Sequence, residues 1–236
     1  MKWVNDWPVI GEDKDGDGKG EPVLIYKKPD VGKIFPSQTL QESDEFNSTT
    51  LGLQWQWQAN PKPSWSFFTG TSLRLYCQKI PDSAKNYWDV PNILLQKFPA
   101  EEFTATAKCS FKFNTLNEKA GFIIMGMDYA SLFVTKKEEG NFLNYSLCKT
   151  ADKGSEEKRN VVTIVDSVIY FRVRMTKAAT YYFDFSLNGK DFLTIDETFV
   201  ARPGKWIGAK MGLFCSRTVQ TNDAGYADFD SFRVEK

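Results

Sequence analysis

The chain has 236 residues, 30 acidic against 30 basic side chains and 42% hydrophobic residues, a globular composition with room for one large β domain or two small ones. Neutral charge speaks against a nucleic-acid partner, which needs a basic surplus on one face, and no apolar run nears the roughly 20 residues of a membrane span. Histidine is absent, which excludes Ser-His-Asp and Cys-His nucleophiles and most catalytic zinc sites but leaves carboxylate-pair chemistry open.

The first element is the stretch "DWPVIGEDKDGDGKGEPVLIYKKP", residues 6–29, where two apolar runs flank an acidic, glycine-rich loop. Asp13, Asp15, Asp17 and Glu21 fall at odd positions, with Lys19 between, and Gly16 and Gly18 allow tight turns. Calcium takes six to eight hard oxygens, and a D-x-D-x-D loop begins to supply them. An EF-hand-like loop needs an acidic residue at its twelfth position, where Leu24 stands, and its glycine is offset by one. A solvated hairpin tip is the alternative. Residues 31–43, "VGKIFPSQTLQES", show no periodicity and read as a linker.

From Asp44 onward the pattern is period two. "LGLQWQWQ" puts Leu53, Trp55 and Trp57 on one face and Gln54, Gln56 and Gln58 on the other. "EFTATAKCSFKF" alternates Phe103, Ala105, Ala107, Cys109, Phe111 and Phe113 with polar residues. "AGFIIMGM" and "ASLFVT" are continuous apolar runs and read as central strands. "VIYFRVRM" and "TYYFDFSL" alternate again, with Ile169, Phe171, Val173 and Met175, then Tyr181, Phe183, Phe185 and Leu187, facing inward. A short connection through "TKAAT" sets Phe171 opposite Phe185, Arg172 opposite Asp184 and Arg174 beside Tyr182. Asn188-Gly189 reads as a two-residue hairpin turn into "KDFLTI", and "KMGLFCS" and "YADFDSFRV" close the series. Residues 44–236 therefore carry ten or more strands and no helical period, the pattern of an all-β, two-sheet antiparallel sandwich.

Cys77, Cys109, Cys148 and Cys215 form no CxxC pair and read as buried thiols, with disulfides as the alternative. A second calcium candidate joins Asp44 or Glu45 to Asp228 or Asp230, where first and last strands meet; inward Phe46, Phe229 and Phe232 explain the same motif as core. Trp55 and Trp57 read as core, whereas Trp65, Trp88 and Trp206 sit in loop-like contexts and are the better candidates for exposure. In "SAKNYWDVPNIL", Tyr87 and Trp88 offer aromatic faces for a sugar ring and Asp89 a carboxylate for its hydroxyls. Packing of that loop on its own sandwich is the alternative. Glu101-Glu102, Glu138-Glu139 and Glu156-Glu157 are adjacent pairs, read as solvation, and no strand carries an E-x-D-x-E run.

"MKWVNDWPVIGEDKDGDGKGEPVLIYKKP" resembles the segment that closes the five-bladed catalytic propeller of glycoside hydrolase family 43, in its β-xylosidase and arabinofuranosidase-like branch. "DEFNSTTLGLQWQW", "SLRLYC", "NILLQKFPAEEFTATAKCSF" and "MGLFCSRTVQTNDAGYADFDSFRV" resemble the concanavalin A-like (jelly-roll) sandwich appended to it. The resemblance implies a short N-terminal hairpin stub, residues 1–30, left from the last blade. Met1 is then an internal methionine or a start placed on a fragment. No counterpart of the family's catalytic Asp and Glu residues is present, so none is carried over. The resemblance implies a non-catalytic domain whose partners are the propeller and a xylan- or arabinan-type oligosaccharide, with the parent enzyme in the periplasm or outside the cell.

Overall fold

A computed structural model describes residues 2–28, 30–36 and 39–236. Contacts divide the chain into Met1–Thr39 and Leu40–Lys236. The expected linker is shared between the two units, and Ser37 and Gln38 within it lie outside the described residues, as does Met1. The second unit begins upstream of Asp44: Ser43 Oγ accepts the Val234 N–H at 2.9 Å, and the Gln96 amide reaches the Glu42 carbonyl at 3.2 Å.

In the first unit, β1 (Lys2–Val4) and β2 (Trp7–Val9) pair antiparallel around Asn5 and Asp6, both at positive φ as a tight hairpin requires. A bridge between Glu12 and Glu21 forms the neck of the acidic loop. Gly11 sits at φ +92° there, and a Cβ on it would come within 1.9 Å of the Glu21 carbonyl oxygen. The unit buries little. Trp3, Trp7, Ile10, Leu24, Ile25 and Ile34 are all at least 66% exposed.

The second unit contributes β3 (Gln56–Trp57), β4 (Ser66–Phe68), β5 (Leu73–Tyr76), β6 (Gln78–Lys79) and β7 (Leu94–Lys97). Longer strands follow: β8 (Phe103–Lys112), β9 (Lys119–Met125), β10 (Tyr129–Lys137) and β11 (Gly140–Cys148). The rest are β12 (Lys158–Ile164), β13 (Val168–Thr176), β14 (Thr180–Ser186), β15 (Leu193–Val200), β16 (Lys210–Arg217) and β17 (Tyr226–Glu235). One sheet has the order β12-β11-β10-β9-β16-β7-β3, and β6 lies parallel to β16 beside it. The other has the order β15-β14-β13-β8-β17-β5-β4. Every other pairing among the described residues is antiparallel. This is a two-sheet sandwich, as expected.

Inner faces meet through aromatic contacts such as Phe122 with Phe232 at 5.3 Å and Tyr145 with Phe183 at 5.4 Å. In the second sheet the outer residues of β8 are polar, and β8 and β13 alternate buried with half-buried along most of their length. In the first sheet β9 and all but the end of β10 are buried on both faces, because another layer lies outside them. The β13–β14 register is the expected one, with Phe171 opposite Phe185, Arg172 opposite Asp184 and Arg174 opposite Tyr182.

Three local expectations fail. Residues 51–55 form a turn, with the Trp55 N–H on the Gly52 carbonyl and Leu53 fully exposed, because the Trp55 indole N–H is drawn to Asp44 at 2.9 Å. Asn188-Gly189 lies within a six-residue loop, since β14 ends at Ser186 and β15 begins at Leu193. There Asn188 Oδ1 accepts the N–H groups of Lys190 and Asp191, and Leu187 turns out to solvent. Trp65 is buried, packed edge-on against Trp57 at 5.3 Å.

Candidate functional site

The outer layer of the first sheet is the segment between β6 and β7, residues 80–93. Tyr87, Val90 and Ile93 cover Ile123, Met125, Tyr129, Phe133 and Phe214 in a cluster separate from the inter-sheet core. Asn86 organises the segment: its Oδ1 caps a short 3-10 turn, Tyr87–Asp89, by accepting the Trp88 N–H at 2.8 Å. Its Nδ2 donates to the carbonyls of Ala151 and Ser155, both at 3.0 Å, tying the segment to a second turn at Ala151–Lys153.

The three sugar-binding candidates therefore separate. Tyr87 is 2% exposed, its ring 4.7 Å from Phe214 and its hydroxyl 2.7 Å from Ser216 Oγ. It anchors the loop and has no free face for a pyranose. Trp88 is half-buried, and Asp89 is exposed, accepting the Lys85 N–H at 3.0 Å. Below Tyr87 runs a polar network that the sequence did not reveal. The Tyr87 N–H donates to the Tyr129 hydroxyl, which donates to Glu157 at 2.7 Å, and Glu157 pairs with Arg159. Glu157 is thus structural, not a solvated residue of an acidic pair. Burial and the Glu157 charge push the Tyr129 hydroxyl far above its ordinary pKa.

Lys119 lies 5.0 Å over the Tyr87 ring and 5.2 Å over Phe133, with 5% exposure. Burial lowers its pKa to about 8. Glu118, wholly buried, accepts the N–H groups of Gly225, Asn114 and Thr115. Nothing in the period-two pattern marks these residues, because they serve loops that join distant strands.

A cleft of about 330 Å³ beside the loop is lined by Ser83, Lys85, Asp89, Asp152, Lys153 and Gly154. Asp152 faces Arg202 at 3.7 Å, and Arg202 also reaches Asp128 at 2.7 Å. Burial opposes ionisation of Asp128, but Arg202 and the Thr150 N–H outweigh it and lower its pKa. Asp89 is thus engaged by the loop's own backbone, whereas Asp152 Oδ1 is buried without a hydrogen bond and meets Arg202 only at ion-pair range.

Of the two calcium candidates, the acidic loop gathers Asp13, Asp15 and Asp17, with one oxygen from each within 4.8 Å of the others. Asp13 Oδ1 and Oδ2 accept the N–H groups of Gly16 and Gly18, and Asp17 pairs with Lys19. Glu21 is occupied in the loop's neck through its backbone. Three carboxylates cover part of the six to eight oxygens calcium takes. The second candidate is not assembled. Asp44 accepts from Trp55, Phe46 and Gln54, Asp228 is paired bidentately with Arg74, and Asp230 is paired with Lys108. Glu45 is taken by Arg233.

Residues 43–235 match the family described as Beta xylosidase C-terminal Concanavalin A-like domain. The chain belongs to that family. It is 32% identical to a beta-xylosidase of Formosa agariphila, over the whole chain and 41% of that protein. A putative beta-xylosidase of Xylanibacter ruminicola is 31% identical over 89% of the chain and 37% of its own length. The fold of the xylan beta-1,4-xylosidase from Bacillus halodurans superposes with a TM-score of 0.72 at 21% identity, over the whole chain and 46% of that structure. The chain spans about two-fifths of the length of the curated relatives it matches.

Proposed function

We propose that this chain is the non-catalytic sandwich of a glycosidase that acts on xylan- or arabinan-type chains, supporting a catalytic propeller and shaping its substrate pocket. The observation that carries the reading is the apolar surface of residues 2–36. Six large side chains there are at least 66% exposed, a surface that asks for cover by a further folded body. The named xylosidase relatives supply the xylan class, and the resemblance seen in the sequence supplies the arabinan one. The 80–93 loop supplies the pocket wall: Tyr87 fixes it from inside, which leaves Trp88 and Asp89 to face a propeller or a sugar.

The test has two arms. The purified chain is expected to leave aryl β-xylosides and arabinofuranosides intact, and turnover above a contaminant control overturns the reading. In the enzyme that carries the propeller, Trp88→Ala is expected to lower kcat/KM without changing Tm. Wild-type kinetics in that variant would reduce the loop to packing.

A second reading, glycan binding by the sandwich itself, is favoured by Trp206, whose side chain is fully exposed. Weaker retention of the Trp206→Ala chain on immobilised xylan would support it. Calcium at Asp13, Asp15 and Asp17 belongs to the same proposal. It is tested by calorimetric titration of the wild type against Asp15→Asn, where equal heats count against the site.

A further inference from the structure

Cys77 is the residue at which the chain leaves one sheet for the other. β5 ends at Tyr76 in the second sheet, and β6 begins at Gln78 beside the first. The β6–β16 pair is parallel, with Gln78 opposite Ser216 and Lys79 opposite Arg217. One step back along that register sets Cys77 beside Cys215. Neighbouring strands lie about 4.8 Å apart, and a disulfide spans Cα separations of about 4.4–6.8 Å. Directly opposed residues also send their side chains to the same face. The side chains agree with the backbone: the two sulfurs are 2.9 Å apart, closer than non-bonded sulfurs settle, and both residues are buried. Backbone bonds hold the crossing on both sides, from the Cys77 N–H to the Gly225 carbonyl at 2.8 Å and from the Ile80 N–H to the Arg217 carbonyl at 2.9 Å.

We propose that Cys77 and Cys215 form a disulfide that staples the sheet crossing at the root of the 80–93 loop. Closure takes two electrons and two protons from the two thiols, and a disulfide oxidant such as oxidised glutathione or a dithiol oxidase accepts them. One cysteine thiolate attacks the oxidant's disulfide and expels one of its thiols. The second cysteine then attacks the mixed disulfide and releases the other. Cys77 is 0% and Cys215 1% exposed, so the exchange runs while the sheets are still assembling. Cys109 and Cys148, also buried, stay reduced, because the β6–β16 register sets Cys77 beside Cys215.

The experiment refolds the full chain with oxidised and reduced glutathione, then counts thiols in denaturant and maps disulfide-linked peptides by mass spectrometry. Two reactive thiols are expected, with a mass about 2 Da below the reduced chain and one linked pair, Cys77–Cys215. Cys77→Ser and Cys215→Ser should each leave three reactive thiols, and Cys109→Ser one. The oxidised chain should melt about 5–15 °C above the reduced chain. Four reactive thiols after oxidative refolding, or a linked pair that includes Cys109 or Cys148, overturns the proposal. Should the serine variants fail to fold, the peptide map of the wild type decides alone.

Discussion

The carboxylate of Asp44 gathers three donors: the Phe46 N–H at 2.9 Å, the Trp55 indole at 2.9 Å and the Gln54 amide at 3.3 Å. It holds Phe46, a non-glycine residue, at φ +48°, and it brings the Trp55 ring to 5.0 Å from Phe232. Asp44→Ala strands a buried indole N–H and removes the acceptor of the Phe46 N–H, so a loss of about 2–4 kcal/mol is expected. Urea unfolding checks this, read as a lower midpoint with unchanged m. Lys119 makes a second case at this scale. Its folded pKa is about 8, below the roughly 10.4 of an unfolded lysine, because burial disfavours the ammonium. Between those values the unfolded chain holds the proton and the folded chain has lost it, so this group's contribution to stability rises with pH through that window. Below pH 8 its penalty is complete. In the reduced chain the thiols of Cys109 and Cys215 are pushed up by burial and also titrate on unfolding, so the informative quantity is a difference between two proteins. Lys119→Met is expected to exceed the wild type by roughly 2–3 kcal/mol at pH 7, with the gap narrowing towards pH 10. A gap that stays constant with pH would refute the shifted lysine.

On β13 and β14 the short "TKAAT" connection set the register and the alternation of apolar residues supported it, because a slip of one residue would turn every aromatic outward. What the pattern left open was which charges pair. Arg172 faces Asp184 across the ladder, yet its guanidinium lies 3.4 Å over Phe192 and donates to Thr106. Asp184, 2% exposed, is held instead by two bonds from Arg174, at 2.6 and 2.8 Å. A ladder sets Cα neighbours, whereas a long arginine chooses among several partners within reach. Arg174→Met therefore leaves a buried carboxylate without its cation and is expected to cost about 2–4 kcal/mol. Arg172→Ala is expected to cost about 1 kcal/mol or less, and equal losses in chemical unfolding would contradict this assignment. The continuous apolar runs of β9 and β10 were legible as doubly buried strands, but not what covers them. That cover is the 80–93 loop, whose Asn86, Pro91 and lone aromatics carry no period. Tyr87→Ala should detach it at a cost of about 3–5 kcal/mol and make residues 80–93 cleavable by protease.

At the scale of the whole chain, sandwich architecture was readable because alternation over 190 or so residues leaves few alternatives, while the site was not. Tyr87, Trp88 and Asp89 are consecutive in sequence, yet one is core, one half-covered and one exposed, since a 3-10 turn sends successive side chains in different directions. The two units also differ in what they can bury. The sandwich encloses a continuous aromatic core from both sheets, whereas residues 2–36 keep their tryptophans and isoleucines largely in water. Hydrophobic burial is the main favourable term in folding, so the sandwich should hold its stability by itself and the N-terminal unit should add little. Removal of residues 1–39 is expected to leave Tm within about 2 °C of the full chain, because few groups that contribute to the cooperative transition are lost. The same truncation should lower the binding of an apolar dye and reduce self-association, since the exposed patch goes with it. A fall in Tm well beyond that range would mean that residues 1–39 pack on the sandwich and stabilise it. Unchanged dye binding would place the adhesive surface on the sandwich, with Trp206 the first residue to test.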